Sequence, residues 1–139
     1  MKCFFCDVQP DTDPNVFLQS KSFVARLDDF PVSKGHTEII SRAHLPTLLD
    51  LDPSNHLELM QIIRDTKTIL EEQYRPDGYN YGINEGVAAG QSVSHFHLHV
   101  IPRYRGDVEQ PRGGVRNIIP GKGDYEALAR EAGRSQYVT

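Results

Sequence analysis

From His95 to Val100 the chain alternates strictly, imidazole then apolar side chain. A period of two over this length predicts a half-buried strand, here running from His95 to Ile101. His95, His97 and His99 then share one face, while Phe96, Leu98 and Val100 turn into a core. Pro102 has no N–H for a sheet ladder, so the strand is expected to stop before it. Earlier, Val16-Phe17-Leu18-Gln19 and Phe23-Val24-Ala25-Arg26-Leu27 are short apolar runs separated by Ser20-Lys21-Ser22, a hairpin pattern. His36 to Ser41 predicts a third strand and Tyr79 to Asn84 a fourth.

Between those two strands the period changes. Asp52-Pro53 supplies a helix N-cap followed by proline at the first helical position. Leu57, Met60, Ile63 and Leu70 recur near helical spacing, with Ile62 and Ile69 widening the stripe. The pattern predicts a helix from Pro53 to about Tyr74, ending before Pro76-Asp77-Gly78. Residues 124–132 predict a short helix capped by Asp124. Five strands with one long helix between the third and fourth predict an α+β domain, a largely antiparallel sheet with its helices on one face.

A length of 139 residues suits one domain. A net charge of −4 gives no support for non-specific nucleic-acid binding, so a nucleotide would need a local cluster of donors. No apolar run is long enough to span a membrane and no signal-peptide pattern opens the chain, which leads us to expect a cytoplasmic protein.

Four stretches carry candidate chemistry. The histidine row suits either a metal site or nucleophilic catalysis by the middle imidazole. His95 and His99 lie roughly 13 Å apart on an extended strand, too far for all three to share one ion. Cys3 and Cys6 stand in Cys-x-x-Cys spacing at the N-terminus. In a reducing compartment this reads as half a zinc site needing two further ligands, or as two unliganded cysteines. The loop from Glu85 to Ser92 holds Gly86 and Gly90, whose backbone N–H groups can approach phosphate oxygens. Downstream, Arg103, Arg105, Arg112 and Arg116 form a local basic cluster, either a phosphate contact or a solvated tail.

The string His95-Phe96-His97-Leu98-His99-Val100-Ile101, with Gly35-His36-Thr37 and Asn84-Glu85-Gly86 upstream, resembles the signature of the histidine triad (HIT) superfamily. The resemblance covers roughly residues 3–104, the expected HIT domain. Residues 105–139 are then an extension packing on that domain or on a partner subunit. The resemblance implies a homodimer and a nucleotidyl-transfer site. In it His97 is the nucleophile, His99 binds phosphoryl oxygens, and His36 sits beside the nucleophile. Asp28 meets the ribose, and Asn84, Gln91 and Ser92 contact phosphates or the leaving group. It also supplies His44 and His95 as partners of Cys3 and Cys6 around a structural zinc. Glu38 departs from the pattern, standing where the family more often has an apolar residue. Related phosphorylases and transferases carry glutamine where His99 stands, so water is the expected final acceptor. The expected substrates are dinucleoside polyphosphates, with purine nucleoside phosphoramidates as the alternative. A nucleotide-binding module with little turnover is a further reading.

Overall fold

The computed structural model describes residues 2–134 and 136, so the last part of the expected 105–139 extension, residues 135 and 137–139, lies outside it. The chain falls into two compact units, Met1–Tyr104 and Arg105–Thr139.

The first unit is built on a five-stranded, wholly antiparallel sheet. Its strands are β1 (Val16–Gln19), β2 (Phe23–Leu27), β3 (Thr37–Ser41), β4 (Gly78–Gly82) and β5 (His97–Arg103), in the order β1-β2-β3-β5-β4. The last strand in sequence lies between the third and the fourth, which puts the histidine strand inside the sheet with neighbours on both sides. Cross-strand register then sorts the side chains. Ala25, Ile39 and Leu98 are opposite one another on β2, β3 and β5. Together with Phe23, Phe96 and Val100 they form the main core against the long helix α1 (His56–Tyr74). The adjacent residues turn to the other face in two parallel rows, Val24–Ile40–His97 and Arg26–Glu38–His99.

That second face is not left to solvent. Phe5, in a short 3-10 turn, packs on Val24 and Ile40, with Cys3, Val8, Val16 and Val93 around it. Burial on both faces explains why every residue of β3 is buried although the strand carries Thr37, Glu38 and Ser41. Truncating a core aromatic such as Phe23 would cost about 3–5 kcal/mol.

The helix begins as expected. Asp52 accepts from the Ser54 N–H, Pro53–Asn55 forms a 3-10 turn, and α1 follows. It ends at Arg75, which adopts the left-handed conformation immediately before Pro76. The expected apolar stripe holds at Ile62, Ile63 and Leu70 and shifts at its N-terminal end. Leu59, Ile62, Thr66 and Leu70 are the buried positions, whereas Leu57 and Met60 are exposed. A threonine occupies one core position, and this hid the true stripe from the hydrophobic pattern.

The histidine strand also differs from the expectation. It starts at His97, leaving His95 in a bend, and it continues through Pro102 to Arg103. The β3 ladder ends at the Thr37–Val100 pair, while β4 pairs on to Arg103. The Pro102 carbonyl faces away from β4 and accepts from the Ser33 hydroxyl at 2.6 Å. The proline nitrogen points the same way, past the end of the β3 ladder, so the sheet loses no hydrogen bond.

In the second unit a 3-10 turn (Gly114–Ile118) precedes α2 (Tyr125–Glu131). Asp124 caps α2, accepting from the Glu126 and Ala127 N–H groups as its sequence position suggested. Among the described residues no helix is long and apolar enough to cross a membrane.

Candidate functional site

Each of the three histidine rings of the motif is fixed by a different partner. His95 is fully buried, and its Nε2 lies 2.7 Å from the Ser41 carbonyl oxygen. A carbonyl can only accept, so Nε2 carries the proton and Nδ1 keeps its lone pair. That Nδ1 faces the N-terminal thiols, 3.4 Å from Cys3 Sγ and 3.6 Å from Cys6 Sγ. His44 Nδ1 stands 3.2 Å from Cys6 Sγ, and the four donor atoms all lie within 4.8 Å of one another.

A tetrahedral zinc ion with its usual bond lengths spaces a sulfur and a nitrogen ligand roughly 3.5 Å apart. The sulfur–nitrogen distances here match that edge, and the donor set of two thiols and two imidazoles suits zinc. Cys3, Cys6, His44 and His95 thus fit a closed structural site. The Cys6 thiol is pushed up chiefly by its hydrogen bond with Cys3.

His97 is held the other way round. Its Nδ1 lies 2.8 Å from the His95 carbonyl oxygen, so Nδ1 donates and Nε2 keeps its lone pair. The ring packs against Phe5, with centroids 4.9 Å apart, and faces a cavity of about 480 Å³. Asp28, Asn84, Ser92, His97 and His99 all line that cavity.

His99 is set by a relay. The Val32 N–H donates to His36 Nδ1 at 3.1 Å, so His36 carries its proton on Nε2. His36 Nε2 is 3.0 Å from His99 Nδ1, which therefore accepts and leaves the His99 proton on Nε2. Burial pushes the His36 imidazolium down, against the pull of Asp28. Burial, with His97 and His36 beside it, takes His99 down to about 4. Both rings are neutral at pH 7. The structure thus places His36 behind His99, not beside His97 as the resemblance implied.

Asp28 is anchored by the Phe30 N–H at 2.7 Å and stands 3.6 Å from His36 Nε2. Gln91 is brought to the same loop but not to the cavity lining. Its Oε1 accepts from the Gly86 N–H and its Nε2 donates to the Pro46 carbonyl, each at 2.8 Å, so the side chain holds the loop. Gly90, with φ of 90°, caps the 3-10 turn Val87–Ala89 there.

Sequence reasoning missed the charged floor of this cavity. Arg26, 2% exposed, spans Glu38 at 2.9 Å, Asp29 at 2.9 Å and Asp13 at 3.3 Å. Glu38 and Asp29 line the cavity with Phe4, Phe5 and Phe30. The signal was present in the alternation of β2 and β3: Arg26 follows Val24, and Glu38 precedes Ile40, on one face. Burial and Asp28 push the Glu38 carboxyl up to about 7, against the Arg26 ion pair. A second cavity, about 460 Å³, shares Phe4 and Asp29 but has no histidine in its lining.

The four arginines of the basic cluster have different surroundings, Arg103 half-buried and Arg105, Arg112 and Arg116 exposed. Arg103 donates to the Asn80 side chain at 2.7 Å. In the second unit Arg112 pairs with the buried Glu126, and Arg116 lies over the Tyr125 ring.

Comparison with known proteins gives the same picture. A sequence profile of the HIT domain matches residues 9–106. Over 106 residues, 73% of each chain, the sequence is 39% identical to an uncharacterised HIT-like protein of Mycoplasma genitalium. It is 35% identical over 95 residues to the asymmetrical bis(5'-nucleosyl)-tetraphosphatase of Schizosaccharomyces pombe, covering 68% of this chain and 52% of that one. Among solved structures, a zinc-bound histidine triad family protein from Mycobacterium smegmatis superposes with a TM-score of 0.68. It is 31% identical, over 94% of this chain and 91% of that one.

Proposed function

The chain belongs to the HIT-domain, or histidine triad, family, and on that premise we propose that it is a hydrolase acting at the α-phosphate of dinucleoside polyphosphates through a nucleotidyl-histidine intermediate. The observation that carries this reading is the ring of His97. Its Nδ1–H is tied to the His95 carbonyl, which leaves Nε2 as the nucleophile facing the cavity.

In the first step the Nε2 lone pair forms a bond to the α-phosphorus, and the bond from that phosphorus to the bridging oxygen breaks. The leaving oxygen keeps the electron pair. Ser92, on the loop entering the triad, donates its hydroxyl hydrogen bond to that oxygen. The ring gains positive charge as it attacks, and the His95 carbonyl stabilises the Nδ1–H that shares it. His99, neutral with its proton on Nε2, donates to a phosphoryl oxygen where negative charge develops. Asn84 lines the same cavity as a further donor. In the second step water attacks phosphorus, the nitrogen–phosphorus bond breaks, and a nucleoside monophosphate leaves. Asp28, close to His36 and His99, accepts from the ribose.

Zinc at Cys3, Cys6, His44 and His95 supplies structural cross-linking when bound. Through His44 and His95 the site would tie the N-terminal segment, with the aromatic wall of Phe4 and Phe5, to the segment after β3 and to the triad. The four-ligand set supports a closed site with no position for substrate. A homodimer in a cytoplasmic setting completes the reading; β4 lies at an edge of the sheet, where strands of two subunits could continue across an interface.

Purine nucleoside phosphoramidates are the second substrate class, since the same attack expels an amine. The tetraphosphatase relative favours the first class. Turnover of diadenosine tetraphosphate and adenosine 5'-phosphoramidate by one preparation tests the assignment. The expected result is faster cleavage of the tetraphosphate to a nucleoside monophosphate. Cleavage of the phosphoramidate alone moves the enzyme to the second class, and cleavage of neither removes the proposed activity.

A further inference from the structure

We propose that Glu38 is a substrate-binding residue that selects the nucleoside. Its carboxylate, fixed by Arg26, accepts a hydrogen bond from an O–H or N–H donor of the nucleoside held in the histidine cavity. The inference rests on the reading above that this cavity takes a nucleotide.

Placement is the first support. Glu38 is directly opposite His99 across the β3–β5 ladder and opposite Arg26 across β2–β3. Side chains so paired share one face, with Cβ atoms about 4.5–5.5 Å apart. The carboxylate therefore lines the cavity one strand away from the phosphate-binding imidazole.

Anchoring is the second. One oxygen of Glu38 takes Arg26 Nη1 at 2.9 Å, and the same guanidinium is gripped by Asp29 and Asp13. A buried carboxylate with a fixed partner is already oriented before a ligand arrives. No step of the proposed hydrolysis uses it.

Charge is the third. Asp28, Asp29 and Glu38 line the cavity together with His97 and His99, and Arg26 pairs with two of the three carboxyl groups. Three carboxyl groups against one guanidinium favour a hydrogen-bond donor over a further anion beside Glu38. Ribose hydroxyls and base amino groups share this chemistry, and analogues separate them.

The test is calorimetric binding of adenosine 5'-monophosphate to the full chain, wild type against Glu38→Leu and Glu38→Gln. A double variant, Arg26→Met with Glu38→Leu, exchanges the buried pair for apolar side chains so that no guanidinium is stranded. The expected result is a roughly tenfold or greater loss of affinity in Glu38→Leu and in the double variant, and a smaller loss in Glu38→Gln, which keeps an acceptor. Affinity for inorganic pyrophosphate should hold. The analogue lacking the recognised donor (2'-deoxy, 3'-deoxy or 6-desamino) should bind wild type weakly and ignore the Glu38 substitutions.

Folded variants that bind the nucleotide like wild type would overturn the proposal. Equal losses for pyrophosphate, or equal sensitivity of every analogue, would do the same. Wild type that binds no nucleoside monophosphate would instead remove the nucleotide reading of the cavity, and this proposal with it.

Discussion

His36 Nε2 lies 3.0 Å from His99 Nδ1, and the Val32 N–H on the far side of His36 fixes the direction of that hydrogen bond. A backbone amide thus decides which nitrogen of His99 presents a proton to the cavity. His36→Ala should free the His99 ring to rotate and to change tautomer. The expected loss in kcat/KM is about 10- to 100-fold, in line with the removal of an orienting partner. His36→Asn, which keeps a donor, should recover part of it. Steady-state kinetics with thermal denaturation of each variant separates this from simple unfolding.

Acid should affect stability through two buried groups of opposite sign. His99 titrates near 4 in the folded chain and near 6.5 unfolded, so between those values the unfolded state binds the extra proton. Stability from this group is present above pH 6.5 and is lost as pH falls toward 4. Glu38 runs the other way. Its folded value near 7 exceeds its ordinary 4.5, so its contribution is present below pH 4.5 and is lost as pH rises toward 7. The two partly cancel between pH 5 and 6.5. Glu38→Gln should unmask His99 and make stability fall more steeply from pH 7 to 5, by about 1–3 kcal/mol. Urea midpoints measured across that range check the sign.

The proposed zinc site would join the N-terminal segment to His44, after β3, and to His95, before β5. Chelation, or Cys6→Ser, should lower the melting temperature by more than about 5 °C. Because Phe4 and Phe5 lie between the two cysteines and wall the cavity, nucleotide affinity should fall with it. Elemental analysis should find one zinc per chain before chelation.

Gly35 precedes His36 with φ of 83°, and a Cβ there would lie 2.9 Å from Tyr74 Cδ2 and 3.2 Å from Pro102 Cγ. Gly35→Ala combines a backbone penalty with a packing clash. The expected destabilisation is about 1–3 kcal/mol by chemical denaturation, with a loss of activity through the displaced His36.

Much of this was legible in the residues. The hairpin of β1 and β2, the capped start of α1 and the Asp124 cap all follow from local chemistry, because the deciding partner is a near neighbour. The exposed Leu57 and Met60 were misassigned because tertiary packing chose a face containing Thr66 over one richer in apolar residues. Of the histidines, only His97 and His99 sit on the strand. His95 leaves the alternation because the thiols and the Ser41 carbonyl hold its ring elsewhere. The alternation in β2 and β3 puts Arg26 and Glu38 each on a definite face of its strand, but their pairing depends on the register between the two strands and not on either strand alone.

The central claim is that His97 Nε2 takes up the nucleotidyl group. Wild-type protein mixed with diadenosine tetraphosphate, quenched in alkali within milliseconds and weighed intact by mass spectrometry, should carry one added nucleoside monophosphate. Peptide mapping should place that mass on His97. His97→Ala should show no adduct and lose at least about a thousandfold in turnover. Turnover by wild type with no adduct on His97, or a His97→Ala protein that still cleaves at the wild-type rate, would contradict the account.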